Sequence, residues 1–130
     1  MVKEIKIGCS ASNQKYGKRF DTAIIELPRN SNISGLFTSN KFPAAPVLVT
    51  KKNLSSLDKK KKTALFINAG NANAATGPEG LRDIDRMFAD YKDFNVLPFS
   101  TGVIGERLDL QKYGRSFSNA YERIGKGSWK

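Results

Sequence analysis

The chain has 130 residues, of which 39% are hydrophobic and 26% charged, and its 22 Lys and Arg against 12 Asp and Glu leave a net charge of +10. That size holds one hydrophobic core and is too short for two, so a single globular domain over residues 1–130 is expected rather than a disordered chain. No apolar run approaches the roughly 20 residues of a bilayer span, and the absence of histidine with only one cysteine, Cys9, removes imidazole-dependent hydrolases, an internal disulfide and the usual zinc sites.

Taken in chain order, short apolar runs between turn-forming residues predict strands at Ile5 to Ile7, Ala23 to Leu27, Gly35 to Thr38, Val47 to Thr50, Ala64 to Asn68 and Val96 to Ser100. Two helices are expected. In the first, Leu81, Ile84, Phe88 and Tyr91 form an apolar stripe while Arg82, Asp83, Asp85 and Arg86 face away, and Thr76 with Glu79 can form a capping box at its start. In the second, Leu110, Tyr113, Phe117, Tyr121 and Ile124 keep the same spacing behind an Asp109 cap; Gly114 weakens this helix by about 1 kcal/mol relative to alanine. Strands followed by single helices, without regular hairpin signals, predict an α/β class of mixed sheet layers with flanking helices. The stretch Gly125 to Lys130 has no terminal strand or cap, so the natural protein is expected to continue beyond it.

The densest run of charge, Lys59 to Lys62, follows Ser55-Ser56-Leu57-Asp58 and has no interleaved aromatic rings on which bases could stack. It is read as a solvated connection, with nucleic acid the less favoured partner. The charge excess could equally attract anionic substrates or be balanced by another part of the protein. No membrane partner is expected, and the start, Met1-Val2-Lys3-Glu4-Ile5-Lys6, lacks a signal peptide's apolar core, so the expected location is the cytoplasm.

Two segments could carry chemistry. Asn68-Ala69-Gly70-Asn71-Ala72-Asn73-Ala74-Ala75-Thr76-Gly77 follows a buried-looking strand, and its residue types suit either an anion-binding nest or a tightly packed turn. Phe99-Ser100-Thr101-Gly102-Val103-Ile104-Gly105 also follows a strand, where a hydroxyl beside a glycine amide can direct two donors at one oxyanion. The alternative is a strand-ending turn whose hydroxyls bond their own backbone.

A third segment, Gly35-Leu36-Phe37-Thr38-Ser39-Asn40-Lys41-Phe42-Pro43-Ala44-Ala45-Pro46-Val47-Leu48-Val49-Thr50, says little mechanistically. In order with Ala64 to Ala74 and Ser100 to Gly105, however, it resembles the amino-terminal region of the ornithine acetyltransferases (glutamate N-acetyltransferases) of arginine biosynthesis, from about Ile7 to about Leu110. The resemblance implies the N-terminal portion of that family's α/β layered fold, and specifically part of the first (alpha) subunit of a larger enzyme that cuts itself before a threonine.

It further implies acetyl transfer from N-acetylornithine to glutamate through an acetyl-threonine intermediate, some members also using acetyl-coenzyme A. A freed N-terminal threonine carries its own amine as base, which suits a chain without histidine. Thr101 and Gly102 match the family's oxyanion pair, while the nucleophile and the later substrate-binding residues have no counterpart in this sequence. The implied partner is therefore the C-terminal (beta) subunit, in a hetero-oligomer of the two cleavage products, and this chain alone is expected to be inactive. No cofactor or metal is implied. The alternative reading is a truncated non-catalytic relative that binds an anionic metabolite or nucleic acid.

Overall fold

The computed structural model describes residues 5–126, so the tail from Gly127 to Lys130 lies outside the described residues. Four strands and three helices alternate as β1 (Lys6–Ser10), β2 (Thr22–Leu27), α1 (Ala45–Leu54), β3 (Lys62–Asn71), α2 (Gly77–Met87), β4 (Phe94–Val103) and α3 (Leu110–Glu122). The strands form one sheet in the order β1-β2-β3-β4, with β1–β2 and β2–β3 antiparallel and β3–β4 parallel. The expected α/β class with a mixed sheet and flanking helices is observed. The antiparallel β1–β2 pair carries no sequence signal because its connection, Ala11 to Asp21, is far longer than the tight turns that betray a hairpin.

One sheet face carries the core. Ile24 on β2 and Ala64 and Phe66 on β3 pack beneath Tyr113, Phe117 and Ala120 of α3. The Phe66 ring lies 4.5 Å from Phe88, 4.8 Å from Tyr91 and 5.4 Å from Phe117, tilted or edge-on in the offset arrangements that aromatic quadrupoles favour. Register sends the alternate residues to the other face, where Ile7, Ile25 and Leu65 form one half-buried row and Cys9, Ala23 and Ile67 the next, which ends at the exposed Phe99. Strands apolar on both sides read as continuous hydrophobic runs, which is why β2, β3 and β4 are visible in the sequence.

Two expected strands are not strands. Gly35 to Thr38 has no regular structure, and Val47 to Thr50 lies inside α1. Its β-branched run favours a strand locally, but Pro46 occupies the first turn, where its fixed φ suits a helix. The helix then runs along the open edge of β4: the Thr50 hydroxyl donates to the Pro98 carbonyl at 2.6 Å and Asn53 Nδ2 to that of Val96 at 2.8 Å. An edge carbonyl row is thereby covered instead of being left to pair with another chain, and Pro98 sits on the one kind of strand that tolerates a missing N–H.

Helix ends differ in how well local signals predict them. Asp109 caps α3 as expected, accepting from the Lys112 amide at 3.0 Å. Thr76 does not cap α2; its hydroxyl donates instead to Asn73 Oδ1 at 2.8 Å, and Glu79 pairs with Arg82. Asp83, placed on the solvent side by periodicity, is fully buried and held by Arg107 through Nε at 2.5 Å and Nη2 at 2.6 Å. Lys62 is likewise not in the loop but on β3, 2.8 Å from the buried Glu26 carboxylate. Within α3, a methyl group added at Gly114 would meet nothing within 4 Å. Gly114→Ala is therefore expected to raise stability by about 1 kcal/mol, measurable as a higher denaturant midpoint with an unchanged slope.

Candidate functional site

β3 and β4 extend further than their apolar runs, so Thr101 and Gly102 are the two residues before the last of a strand, Val103, rather than a turn beyond it. In the parallel register Ala69 faces Thr101 and Gly70 faces Gly102. Both members of the Thr101–Gly102 pair are exposed at the carboxyl end of the two parallel strands, the end at which ligands bind in open α/β sheets.

The two facing glycines both take the left-handed region, with φ of 103° at Gly70 and 127° at Gly102. A Cβ on Gly102 would fall within 2.6 Å of Asn71 N and the Gly70 carbonyl oxygen, so only glycine lets the strand ends approach this closely. The Gly102 backbone thus has a conformation and a proximity that another residue type could not share.

The asparagine-rich segment packs beside this pair. Asn68, Asn71 and Asn73 are all buried. Asn68 Oδ1 accepts from the Ser100 hydroxyl at 2.7 Å, Asn71 Nδ2 reaches the Glu106 and Arg107 carbonyls, and Asn73 Nδ2 reaches the Gly80 carbonyl at 3.0 Å. The Ala72 amide donates to the Val103 carbonyl at 2.9 Å and the Asn73 amide to Asn71 Oδ1 at 2.8 Å. Of the two readings open for this segment, these bonds support the packed turn, since the groups an anion nest would present are directed into the protein.

Beneath the end of β3, Tyr113 is completely buried and its hydroxyl donates to the Ala69 carbonyl at 2.9 Å. Burial is the main cause that pushes its pKa up to about 12, so the neutral donor form persists at any physiological pH. Tyr113 supports the site without a motif that singles it out, belonging to an apolar stripe, whereas Asn68 and Ser100 lie in the two segments the sequence singles out but gain their partners only on folding.

Beside Thr101 lies a shallow groove of about 260 Å³. Its walls are Pro98 to Thr101 on β4, Pro46, Val47 and Thr50 on α1, and Leu36 to Thr38. Three of its hydroxyls are engaged within the chain: Thr50 on Pro98, Ser100 on Asn68, and Thr38 as acceptor of the Asn40 amide. The Thr101 hydroxyl has no hydrogen bond to another described residue. Larger hollows of about 510 and 500 Å³ lie around the start of β4 and between α2 and α3, away from the strand ends, so size alone is a poor guide here. Among the described residues no three acidic or cysteine side chains cluster as metal ligands would, and no helix is long and apolar enough to cross a membrane.

Comparisons with known proteins agree on one family, described as the ArgJ family, which matches residues 6–128. The chain is 36% identical to the arginine biosynthesis bifunctional protein ArgJ of Methylococcus capsulatus over 96% of its own length and 31% of that protein. It is 38% identical to the mitochondrial ArgJ protein of Dictyostelium discoideum over 98% of its length and 30% of that protein. The chain thus spans about a third of the length of these curated relatives. Among solved structures, it is similar to the ornithine acetyltransferase of Mycobacterium tuberculosis crystallised with ornithine, with a TM-score of 0.78 and 27% identity over 96% of this chain and 69% of that one. An ArgJ structure from Bacillus halodurans gives a TM-score of 0.73 and 31% identity over 87% and 61% of the two chains. With its motifs in order, its sheet and helices superposable on solved members and all but its ends covered by the family match, this chain belongs to the ArgJ family.

Proposed function

We propose that this chain is a single domain forming the N-terminal, oxyanion-bearing portion of a self-cleaving acetyltransferase, which moves an acetyl group from N-acetylornithine to glutamate in arginine biosynthesis. The observation that carries the reading is the placement of Thr101 and Gly102. A hydroxyl with no partner among the described residues and the backbone of a glycine in a left-handed conformation stand side by side and exposed at the carboxyl end of a parallel strand pair.

In this reading a threonine freed at the N-terminus of a second polypeptide is the nucleophile, its α-amine taking the hydroxyl proton. A C–O bond forms to the acetyl carbon while the carbonyl electrons move onto oxygen, where the Thr101 hydroxyl and the Gly102 amide donate to the resulting oxyanion. Collapse breaks the C–N bond, and the proton goes to the departing ornithine amine. The glutamate amine then attacks the acetyl-threonine ester through the same oxyanion position, forming a C–N bond, breaking the C–O bond and returning a proton to the threonine oxygen.

The second polypeptide is the partner, and the half-buried sheet face of Ile7, Ile25, Leu65 and Ile67 is the apolar surface available to receive it. Without it this chain has no nucleophile and is expected to be inactive by itself. The test is exchange of a labelled acetyl group between N-acetylornithine and glutamate by the complete protein that carries this sequence. Exchange is expected; an intact two-part protein that exchanges nothing would refute the activity while leaving the family membership in place.

A further inference from the structure

The asparagine-rich segment has no part in the chemistry just described, yet its bonds surround the catalytic pair. We propose that Asn68 and Asn71 are positioning residues that hold Thr101 and Gly102 from their two sides, an inference that rests on reading this pair as the oxyanion donors.

The upstream grip is Asn68, which is 4% exposed and accepts through Oδ1 from the hydroxyl of Ser100, the residue immediately before Thr101, at 2.7 Å. The downstream grip is Asn71, which is 2% exposed and whose Nδ2 donates to two successive carbonyls, Glu106 and Arg107, each at 3.1 Å. The grips are joined, because Asn68 Nδ2 donates to the Asn71 carbonyl at 2.8 Å. Between them the Ala72 amide holds the Val103 carbonyl at 2.9 Å and the Gly105 amide holds the Ala74 carbonyl at 2.8 Å.

The chemistry explains the residue type. Each position needs a donor and an acceptor on one short side chain, which asparagine has, leucine lacks entirely and ionised aspartate has only as acceptors. Asn71 uses both ends, since its Oδ1 accepts from the Asn73 amide at 2.8 Å while its Nδ2 donates. Sliding β4 by one residue against β3 would orphan these buried groups together, so the network resists such movement. An oxyanion donor is useful only within about 2.7–3.1 Å of the developing charge, and a misplacement of about 1 Å can cost on the order of 10²-fold in rate.

Two variants test the two grips. Asn71→Asp keeps the shape and the acceptor but replaces the donor. Ser100→Ala, at a half-buried position, removes the upstream bond with little risk to folding, and Ser100→Thr restores a hydroxyl. In the complete protein, acetyl exchange should fall by about 10- to 10²-fold in Asn71→Asp, fall measurably in Ser100→Ala and recover in Ser100→Thr. In this chain, amide hydrogen exchange followed by NMR should accelerate at Val103, which faces β3, while the amides of Ile24 and Phe66 in the core keep their protection. Folded variants with unchanged acetyl exchange would overturn the proposal, as would slowed turnover accompanied by uniform loss of core protection. Thr101→Val in the same assay separates the two ideas: if it is silent, the oxyanion reading fails, whereas if it is slow and both grip variants are silent, only the positioning role fails.

Discussion

Thr101→Val is expected to slow acetyl exchange and self-cleavage together, by about 10²- to 10³-fold, in the complete protein. The substitution is close to isosteric, so the fold should tolerate it: Thr101 is exposed and makes no hydrogen bond to another described residue. What it removes is one of the two donors proposed for the oxyanion, and loss of such a donor typically costs about 2.7–4 kcal/mol of transition-state stabilisation. In the proposed mechanism both reactions pass through a tetrahedral oxyanion, so both rates should respond. Ground-state binding should be nearly unaffected, since a donor aimed at developing charge interacts weakly with the substrate carbonyl. Single-turnover measurement of acetyl-threonine formation, alongside electrophoresis of the uncleaved precursor, checks this directly. Normal rates in both would remove Thr101 from the mechanism.

Gly102→Ala is expected to damage both folding and function. At φ 127° an L-residue is strained, and its Cβ would lie within 2.6 Å of Asn71 N, where real side chains are not found. The left-handed conformation alone costs about 1–2 kcal/mol for a residue bearing a Cβ, and the overlap is with backbone, which cannot swing away as a side chain could. Relief requires β3 and β4 to separate at their carboxyl ends, breaking the Gly70–Gly102 approach and moving the amide proposed as the second donor. The expected result is a lower denaturant midpoint together with acetyl exchange reduced at least as far as in Thr101→Val. An alanine variant as stable and as active as the parent would show that neither the close approach nor the amide position matters.

How far the sequence carries depends on the range of the forces that decide each feature. The helices α2 and α3 are legible because burial repeats with a local period, the strands β2, β3 and β4 because their apolar runs are continuous, and Asp109 because its partner, the Lys112 amide, is three residues away. The order of three motifs identifies the family, and through it Thr101 and Gly102, although the residues alone leave that segment divided between a site and an ordinary turn.

What the tertiary structure decides are the features set by partners distant in sequence. Val47 to Thr50 is helical because the edge carbonyls of Val96 and Pro98 are capped by Thr50 and Asn53, more than forty residues away. Asp83 leaves its solvent-facing position on the helical wheel because Arg107, 24 residues on, provides a two-pronged guanidinium partner. The asparagine segment is a packed turn because the strand that satisfies it, β4, lies alongside only in the folded sheet. The chain by itself thus determined the family, the α/β class and the identity of the candidate donors. Folding decided which face each strand buries and which groups hold Thr101 and Gly102 in place, because a buried hydrogen bond is specified by two partners and the local sequence contains only one.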